Sequence, residues 1–237
     1  MKPLTIIVYT HCRTPERQSY ALCTLHALSQ NVIYDGPLRL HVADDNSTEE
    51  LWAGIQERAT LVCLTIRDQP YERVTFSRAG GLGYGGSYNR ATQVLHDEDG
   101  YFLCVEDDWE MQGAFDFTPY AEAIEARPDL IGCIRFGYLG HTGRLSGRIE
   151  WINNLDFLVF DPDCPERHVF AGHPRLESRD WQRKVGPWPE GEDAGTTEFK
   201  VAGRDEAREG VAWPIGIAPG RLFAHIGTIQ AREDQSP

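Results

Sequence analysis

The stretch Tyr101-Phe102-Leu103-Cys104-Val105-Glu106-Asp107-Asp108 decides how the rest of the chain is read. Five apolar residues without polar alternation describe a strand covered on both faces. The three acids that follow then lie at the rim of a sheet, where α/β proteins place their chemistry. Adjacent carboxylates repel one another unless a cation lies among them, and hard divalent ions such as Mg²⁺ or Mn²⁺ meet that need. A solvated turn after a strand explains the same triplet, so its neighbours have to discriminate.

Further short apolar runs occur at residues 4–9, 38–43, 61–66, 131–136 and 157–160, with helix-like stretches between several of them. This alternation predicts a single α/β domain whose central, mostly parallel mixed sheet is flanked by helices. Ser47-Thr48-Glu49-Glu50 has the form of a capping box and predicts a helix toward Arg58, while Thr118-Pro119 predicts an N-cap and N1 proline for a helix ending near Pro128. Beyond about Gly137 the chain is richer in Gly, Pro, Trp and Arg, which predicts long loops around a site rather than a second regular layer. The polar residues from about Arg232 are expected to fray.

The chain of 237 residues carries 23 basic and 36 acidic side chains, a net charge of -13. That balance argues against a nucleic-acid partner, because sequence-independent binding comes mainly from neutralising phosphates. The six cysteines are widely spaced and form no C-x-x-C pair, which argues against a zinc or redox motif. Cys63, Cys104 and Cys133 lie in apolar runs, as small core residues do, so a reduced cytoplasmic setting is expected. Residues 4–9 are too short for a membrane span or signal sequence, and a soluble protein is expected.

Polar and acidic residues recur where the other strands end. The first turn reads Thr10-His11-Cys12-Arg13 and lacks the glycines of a dinucleotide turn; its side chains, Arg13 among them, suit a base or a phosphate. The second strand ends in Asp44-Asp45-Asn46-Ser47, where an Asp can accept from a ribose or base, although Asn46 and Ser47 read better as turn and cap. Gly81, Gly83 and Gly86 spell G-x-G-x-x-G ahead of a helix, with Asn89 and Arg90 on its first turns, so an NAD-dependent oxidoreductase is a rival reading. Further on, Glu192-Asp193 precedes a predicted helix from Ala194, either as a plain cap or as a general base for a hydroxyl. His225 stands alone in a strand-like run; near an acidic cluster it becomes a metal ligand, and its nitrogen favours Mn²⁺ over Mg²⁺.

Taken in order, these elements resemble the GT-A glycosyltransferases, most closely the family-2-like enzymes that use nucleotide-diphosphate sugars. The resemblance implies a single Rossmann-like GT-A domain, with residues 1–110 binding nucleotide and residues 111–237 binding acceptor and carrying catalysis. It places Thr10, Arg13, Asp44, Asp45, Gly81, Asn89 and Asp107 on the donor. Glu106-Asp107-Asp108 resembles the D-x-D motif, whose last acid holds the metal, so Asp108 is the first choice of ligand; Glu106 stands where the motif has Asp, which leaves Glu106 or Asp107 to share the ion. Phe223-Ala224-His225-Ile226-Gly227 resembles the late His-x-Gly element of metal-dependent members, and Glu192-Asp193 the E-D pair, with Asp193 as catalytic base.

The implied reaction moves a sugar from a UDP- or GDP-sugar to a hydroxyl of a soluble acceptor (protein, glycan or small molecule), with inversion and with Mn²⁺ or Mg²⁺. Arg13, Arg78 and Arg90 are candidate phosphate contacts, and Trp181, Trp188 and Trp213 candidate sugar platforms, though core packing explains each tryptophan equally well. A non-catalytic nucleotide-sugar-binding protein is the second rival.

Overall fold

The computed structural model describes residues 1–65, 71–137, 145–164, 172–217 and 221–227. The first half runs β1 (Leu4–Thr10), α1 (Pro15–Asn31), β2 (Val32–Ile33), β3 (Leu38–Asp44), α2 (Glu49–Thr65), β4 (Arg73–Arg78), α3 (Gly83–Val94) and β5 (Tyr101–Glu106). Then come β6 (Trp109–Met111), β7 (Phe115–Asp116), α4 (Thr118–Ala126), β8 (Cys133–Arg135), β9 (Gly147–Ile152), β10 (Leu155–Phe160) and β11 (Arg175–Ser178). The chain continues through α5 (Arg179–Val185), α6 (Ala194–Ala202), α7 (Asp205–Arg208), β12 (Val211–Pro214) and β13 (Phe223–His225).

Among the described residues, nine strands form one sheet in the order β4-β3-β1-β5-β11-β8-β12-β10-β9. The first four are parallel, whereas β11 and β10 run antiparallel to their neighbours. Side chains alternate as the pleat requires. From β1 and β5, Leu4, Ile6, Val8, Leu103 and Val105 pack with Leu25 and Leu28 of α1, Ile55 and Val62 of α2 and Ile124 of α4. Ile7, Tyr9, Phe102 and Cys104 pack on the other face with Tyr88 and Ala91 of α3 and with Trp181 and Val185 of α5. Both faces being covered explains the unbroken apolar runs.

The order of connection fixes where a ligand can enter. From β1 the chain moves outward through β3 to β4, then returns to the other side of β1 as β5. The strand order reverses between β1 and β5, and the crevice lies at the C-terminal ends of these two strands. Register sets Thr10 opposite Asp44, Tyr9 opposite Glu106 and Asp44 opposite Arg78 along that edge.

Several local expectations are corrected. The run at 61–66, counted among the strands, continues α2 through Thr65, and Ile66 lies outside the described residues. Buried Ile55, Ala59, Val62 and Cys63 recur at helical spacing, which an unbroken apolar run cannot reveal by itself. The fourth strand is instead the polar edge strand β4, whose alternation escapes notice because Val74 and Phe76 are only partly buried. Beyond Gly137 the chain supplies five strands and three helices among the described residues, rather than mainly loops. Thr118 is the first residue of α4, not its cap: the Asp116 carboxylate accepts the Thr118 N–H at 2.8 Å, and the Thr118 hydroxyl accepts from the Asp35 N–H. The helix stops at Ala126. Asn46 does make a turn, with φ 69°, but the Ser47 hydroxyl donates to Asp44 and accepts from the Cys12 N–H. The segment from Arg232 lies outside the described residues.

One buried polar contact in the sheet carries a pH dependence. His41 of β3 is fully buried and bonds Thr75 and Ser77 of β4 at 2.8 and 2.9 Å. Burial, and to a lesser degree Arg73, lower its pKa to about 4 from the ordinary 6.5. The unfolded chain therefore takes up the proton first as pH falls, so this stability is present above the ordinary pKa and drains away toward the native one. We expect urea unfolding to show up to about 3 kcal/mol lost between neutral pH and the native pKa from this residue alone. His41→Gln should flatten that part of the profile relative to wild type.

Candidate functional site

The site is built where β5 gives out. Asp107 and Asp108 are only 2% and 5% exposed, so two neighbouring carboxylates are taken out of water at a chain turn. What makes this tolerable is α1, whose first turn begins at the Thr14 cap and Pro15. Arg17, on that turn, donates from one guanidinium nitrogen to Asp107 Oδ1 and from another to Asp108 Oδ2, the latter at 2.9 Å. Two helical turns later the Thr24 hydroxyl donates to the Asp107 carbonyl at 2.9 Å. Asp107 Oδ2 accepts the His11 N–H at 3.1 Å, which ties the turn after β1 to the end of β5.

The three acids differ in electrostatics. Burial raises the Asp107 carboxyl to about 6, with Arg17 pulling the other way. Burial also pushes Glu106 well up, reinforced by Glu198 of α6 and by the two aspartates. Asp108 moves down despite its own desolvation, because His225 and Arg17 stabilise its anion. Asp108 is thus the member of the triplet held as an anion.

His225 arrives from far along the chain. The short strand β13 pairs antiparallel with β6, setting His225 opposite Trp109, and the Ile226 N–H donates to the Asp108 carbonyl at 2.8 Å. The imidazole Nε2 lies 3.4 Å from Asp108 Oδ2, and its ring meets that of Trp109 edge-on at 5.0 Å. Gly227 follows with its Cα against the Asp108 carboxylate, where any side chain would collide.

A cavity of about 290 Å³ opens beside this cluster. Tyr9, Thr10 and His11 line it from β1 and the following turn, Glu106 and Asp107 from β5, and Arg17 from α1. Gly83, Tyr84 and Ser87 come from α3, and Asp45, Glu192 and Asp193 complete the wall. The Ser87 hydroxyl is buried there without a hydrogen-bond partner among the described residues. A larger cavity, about 550 Å³, lies at the opposite end of β5 near Gly100 and Trp181, but the carboxylates around it are solvated, so volume alone does not locate the chemistry.

Most of the residues singled out in the sequence gather here, and some do not. Asp193 reaches the cavity as the N-cap of α6, its Oδ1 accepting the Thr196 N–H at 2.9 Å. Those bonds to Thr196 lower its pKa, so it stays ionised. The Glu192 carboxylate, in the same wall, pairs with Lys200. Asp44 is fully buried and its oxygens are taken by Thr10, Ser47 and Arg78, so Asp45 is the one that faces the cavity. Gly81 donates its N–H to Asp45 Oδ1 at 3.0 Å. Arg13 is exposed outside the cavity wall. Asn89 also lies outside it, latching the 188–190 segment: it donates to the Trp188 carbonyl and Glu190 and accepts the Trp188 N–H, all within 2.9 Å. Arg90 bonds Gln93, and Trp181, Trp188 and Trp213 are core residues.

The sequence did not single out Arg17, Ser87 or Glu198. Thr14-Pro15 marks a helix start, and a basic residue two positions later on the first turn overlooks the strand ends; that signal could have found Arg17. Glu198 sits one turn into α6, where its Oε1 accepts the Gly172 N–H at 2.6 Å. Behind the cavity lies a buried network in which Arg175 pairs with Glu177 and reaches the Tyr84 hydroxyl at 3.2 Å.

Asp108 and His225 make a carboxylate and imidazole donor pair suited to a divalent ion, and buried Asp108 Oδ1 has no hydrogen-bond partner among the described residues. Among the described residues no three His, Cys, Asp or Glu side chains close a metal cage. Two protein ligands are what an ion needs when diphosphate oxygens supply the rest. The residues therefore fit a metal that shares its coordination with a phosphorylated ligand.

A Rossmann-like parallel half, extended by a mixed half and carrying acids at the switch point, defines the GT-A class of fold. The sequence pattern of glycosyl transferase family 2 matches residues 5–186, and the chain belongs to that family. The G-x-G-x-x-G reading loses its footing as well: those glycines follow the edge strand β4, not β1, where a dinucleotide turn would stand. The TarS 1–349 structure from S. aureus has the same fold, with TM-score 0.59 and 12% identity over 98% of this chain and 63% of that one. Its complex with UDP gives TM-score 0.59 and 13% identity over 94% and 60%. The mannosyltransferase PcManGT from Pyrobaculum calidifontis, in complex with GDP-Man and Mn²⁺, gives TM-score 0.50 and 16% identity over 94% and 56%. The chain thus spans about three fifths of the length of these structures. No curated protein sequence matches it.

The Asn89 latch predicts a clean separation. Asn89→Ala removes three hydrogen bonds and should cost about 1–3 kcal/mol in denaturant unfolding. The geometry of the cavity should be kept, because the side chain lies outside its wall, so near-UV circular dichroism of the folded variant should match that of wild type.

Proposed function

We propose that the protein is a metal-dependent glycosyltransferase that moves a sugar from a UDP- or GDP-sugar to an acceptor hydroxyl with inversion. The observation that carries this is the pairing of Asp108, held as an anion, with His225, directly after Asp107 in the wall of a cavity that also receives Asp193. Asp108 and His225 would hold Mn²⁺, or Mg²⁺, with Glu106 or Asp107 as the nearest further acids; when bound, the ion neutralises charge growing on the departing diphosphate. Thr10, Asp45 and Gly81 form the donor end, in the half spanning residues 1–110. The second half, 111–237, supplies the acceptor side.

Asp193 suits the role of base by position. Its cap bonds fix the carboxylate and keep it anionic, so it can accept the hydroxyl proton as the new bond forms. The low pKa makes it a weak base, which matches a step in which the proton moves late. Glu192, paired with Lys200, would steady the same turn. The acceptor in this reading is a soluble protein, glycan or small molecule. No described helix is long and apolar enough to cross a membrane. The cytoplasmic setting of this reading rests on Cys63, Cys104 and Cys133, which are buried as small core residues.

A panel of nucleotides and nucleotide sugars screened by thermal shift tests the reading. UDP or GDP with Mn²⁺ should raise Tm, a ligand at about 100 times its Kd adding roughly 2.7 kcal/mol. Asp108→Ala should abolish the Mn²⁺-dependent part; if it persists, the metal assignment is wrong. Asp193→Asn should lower kcat about 10²- to 10⁴-fold with donor stabilisation retained. Unchanged turnover would remove Asp193 from the base role.

A further inference from the structure

Arg17 occupies a peculiar position for a site that takes a cation. It grips both aspartates of the triplet, and the Asp108 oxygen it holds, Oδ2, is the one that faces His225 Nε2 at 3.4 Å. Its side chain is 20% exposed, lines the cavity and lies with its guanidinium over Tyr20 at 6.0 Å. It is therefore neither sealed in the core nor a loose surface pair. A guanidinium and a divalent ion on the same carboxylate oxygen repel each other, in surroundings where little water screens them. The ligand that best draws a guanidinium off a carboxylate is a diphosphate, which matches its planar fork with more charge.

We infer that Arg17 is the resting counter-ion of the acidic site, holding Asp107 and Asp108 until a donor diphosphate takes the guanidinium, so that divalent ion and nucleotide bind together. This rests on the reading that Asp108 and His225 hold the metal. The arrangement weakens metal binding by the bare protein. It also turns Arg17 into a positioning residue with two partners in turn, the aspartates and then the phosphates. Reciprocity follows from linkage: whatever factor UDP adds to Mn²⁺ affinity, Mn²⁺ adds to UDP affinity.

The test is Mn²⁺ binding, read by calorimetry and by the electron paramagnetic resonance of the free ion, with and without saturating UDP. Without UDP, Arg17→Gln should bind Mn²⁺ at least about tenfold more tightly than wild type, since two uncompensated carboxylates are left. Saturating UDP should tighten wild-type binding about tenfold or more and the variant's by less than about threefold. Equal Mn²⁺ affinity in the two proteins without UDP, or equal coupling to UDP, overturns the inference. Arg17→Lys keeps the charge but cannot span both carboxylates, so it should fall between the two, and it carries the test if circular dichroism shows Arg17→Gln unfolded. Asp108→Asn separates the levels: if it binds Mn²⁺ as wild type does, the metal reading fails, whereas loss there with no effect at Arg17 refutes only the resting counter-ion.

Discussion

Everything at this sheet edge depends on keeping two adjacent carboxylates out of water where β5 ends. Isolated buried anions are unstable, so they must be protonated, paired or given to a cation. The chain answers differently for each acid. Arg17 spans Asp107 and Asp108, His225 adds to Asp108, and Glu106 faces Glu198 and moves toward its neutral form. Because these partners come from α1, β13 and α6, the charge at one turn draws three distant segments to the same point.

The second half of the sheet extends this logic. Antiparallel β11 lies beside β5 and carries Arg175 opposite Cys104, fully buried and paired with Glu177. Tyr88 and Gln182 also bond Glu177, so α3 and α5 are coupled through one carboxylate. Arg175 lies beneath the Trp188 ring at 5.3 Å and touches Tyr84, a residue of the cavity wall. A buried ion pair of this kind adds little net stability, but breaking one partner leaves an uncompensated charge. It therefore fixes the position of α3 against the sheet more than it strengthens the sheet.

The sequence was most legible where a single physical cause acts. Apolar runs in β1, β5 and β10, and the apolar residues recurring through β3, declare strands, and the acids after β3 and β5 declare the functional edge. It was least legible where the cause is tertiary. The polar strand β4 is a strand because His41 needs Thr75 and Ser77, which no local pattern announces. Residues 61–65 look like a strand and form helix because Ile55 and Ala59 already commit that face. Asn89 and Trp188, ninety-nine residues apart, bond to each other, and such a partnership is invisible before folding. In the site, acids and His225 were readable by type; Arg17 was not, since its meaning comes from where α1 starts.

The β6–β13 ribbon also sets a calendar for the molecule. His225 and Gly227 reach Asp108 only when residues 223–227 lie against residues 109–111. The parallel strands β1, β3, β4 and β5 are all synthesised by Glu106, long before the imidazole has been made, although α4, β11 and α5 must still arrive to cover and pair β5. A nascent chain would thus hold the acids before it holds the imidazole that meets Asp108. Closure of this edge waits on β13, which makes completion of the acidic cluster a late event in the life of each copy.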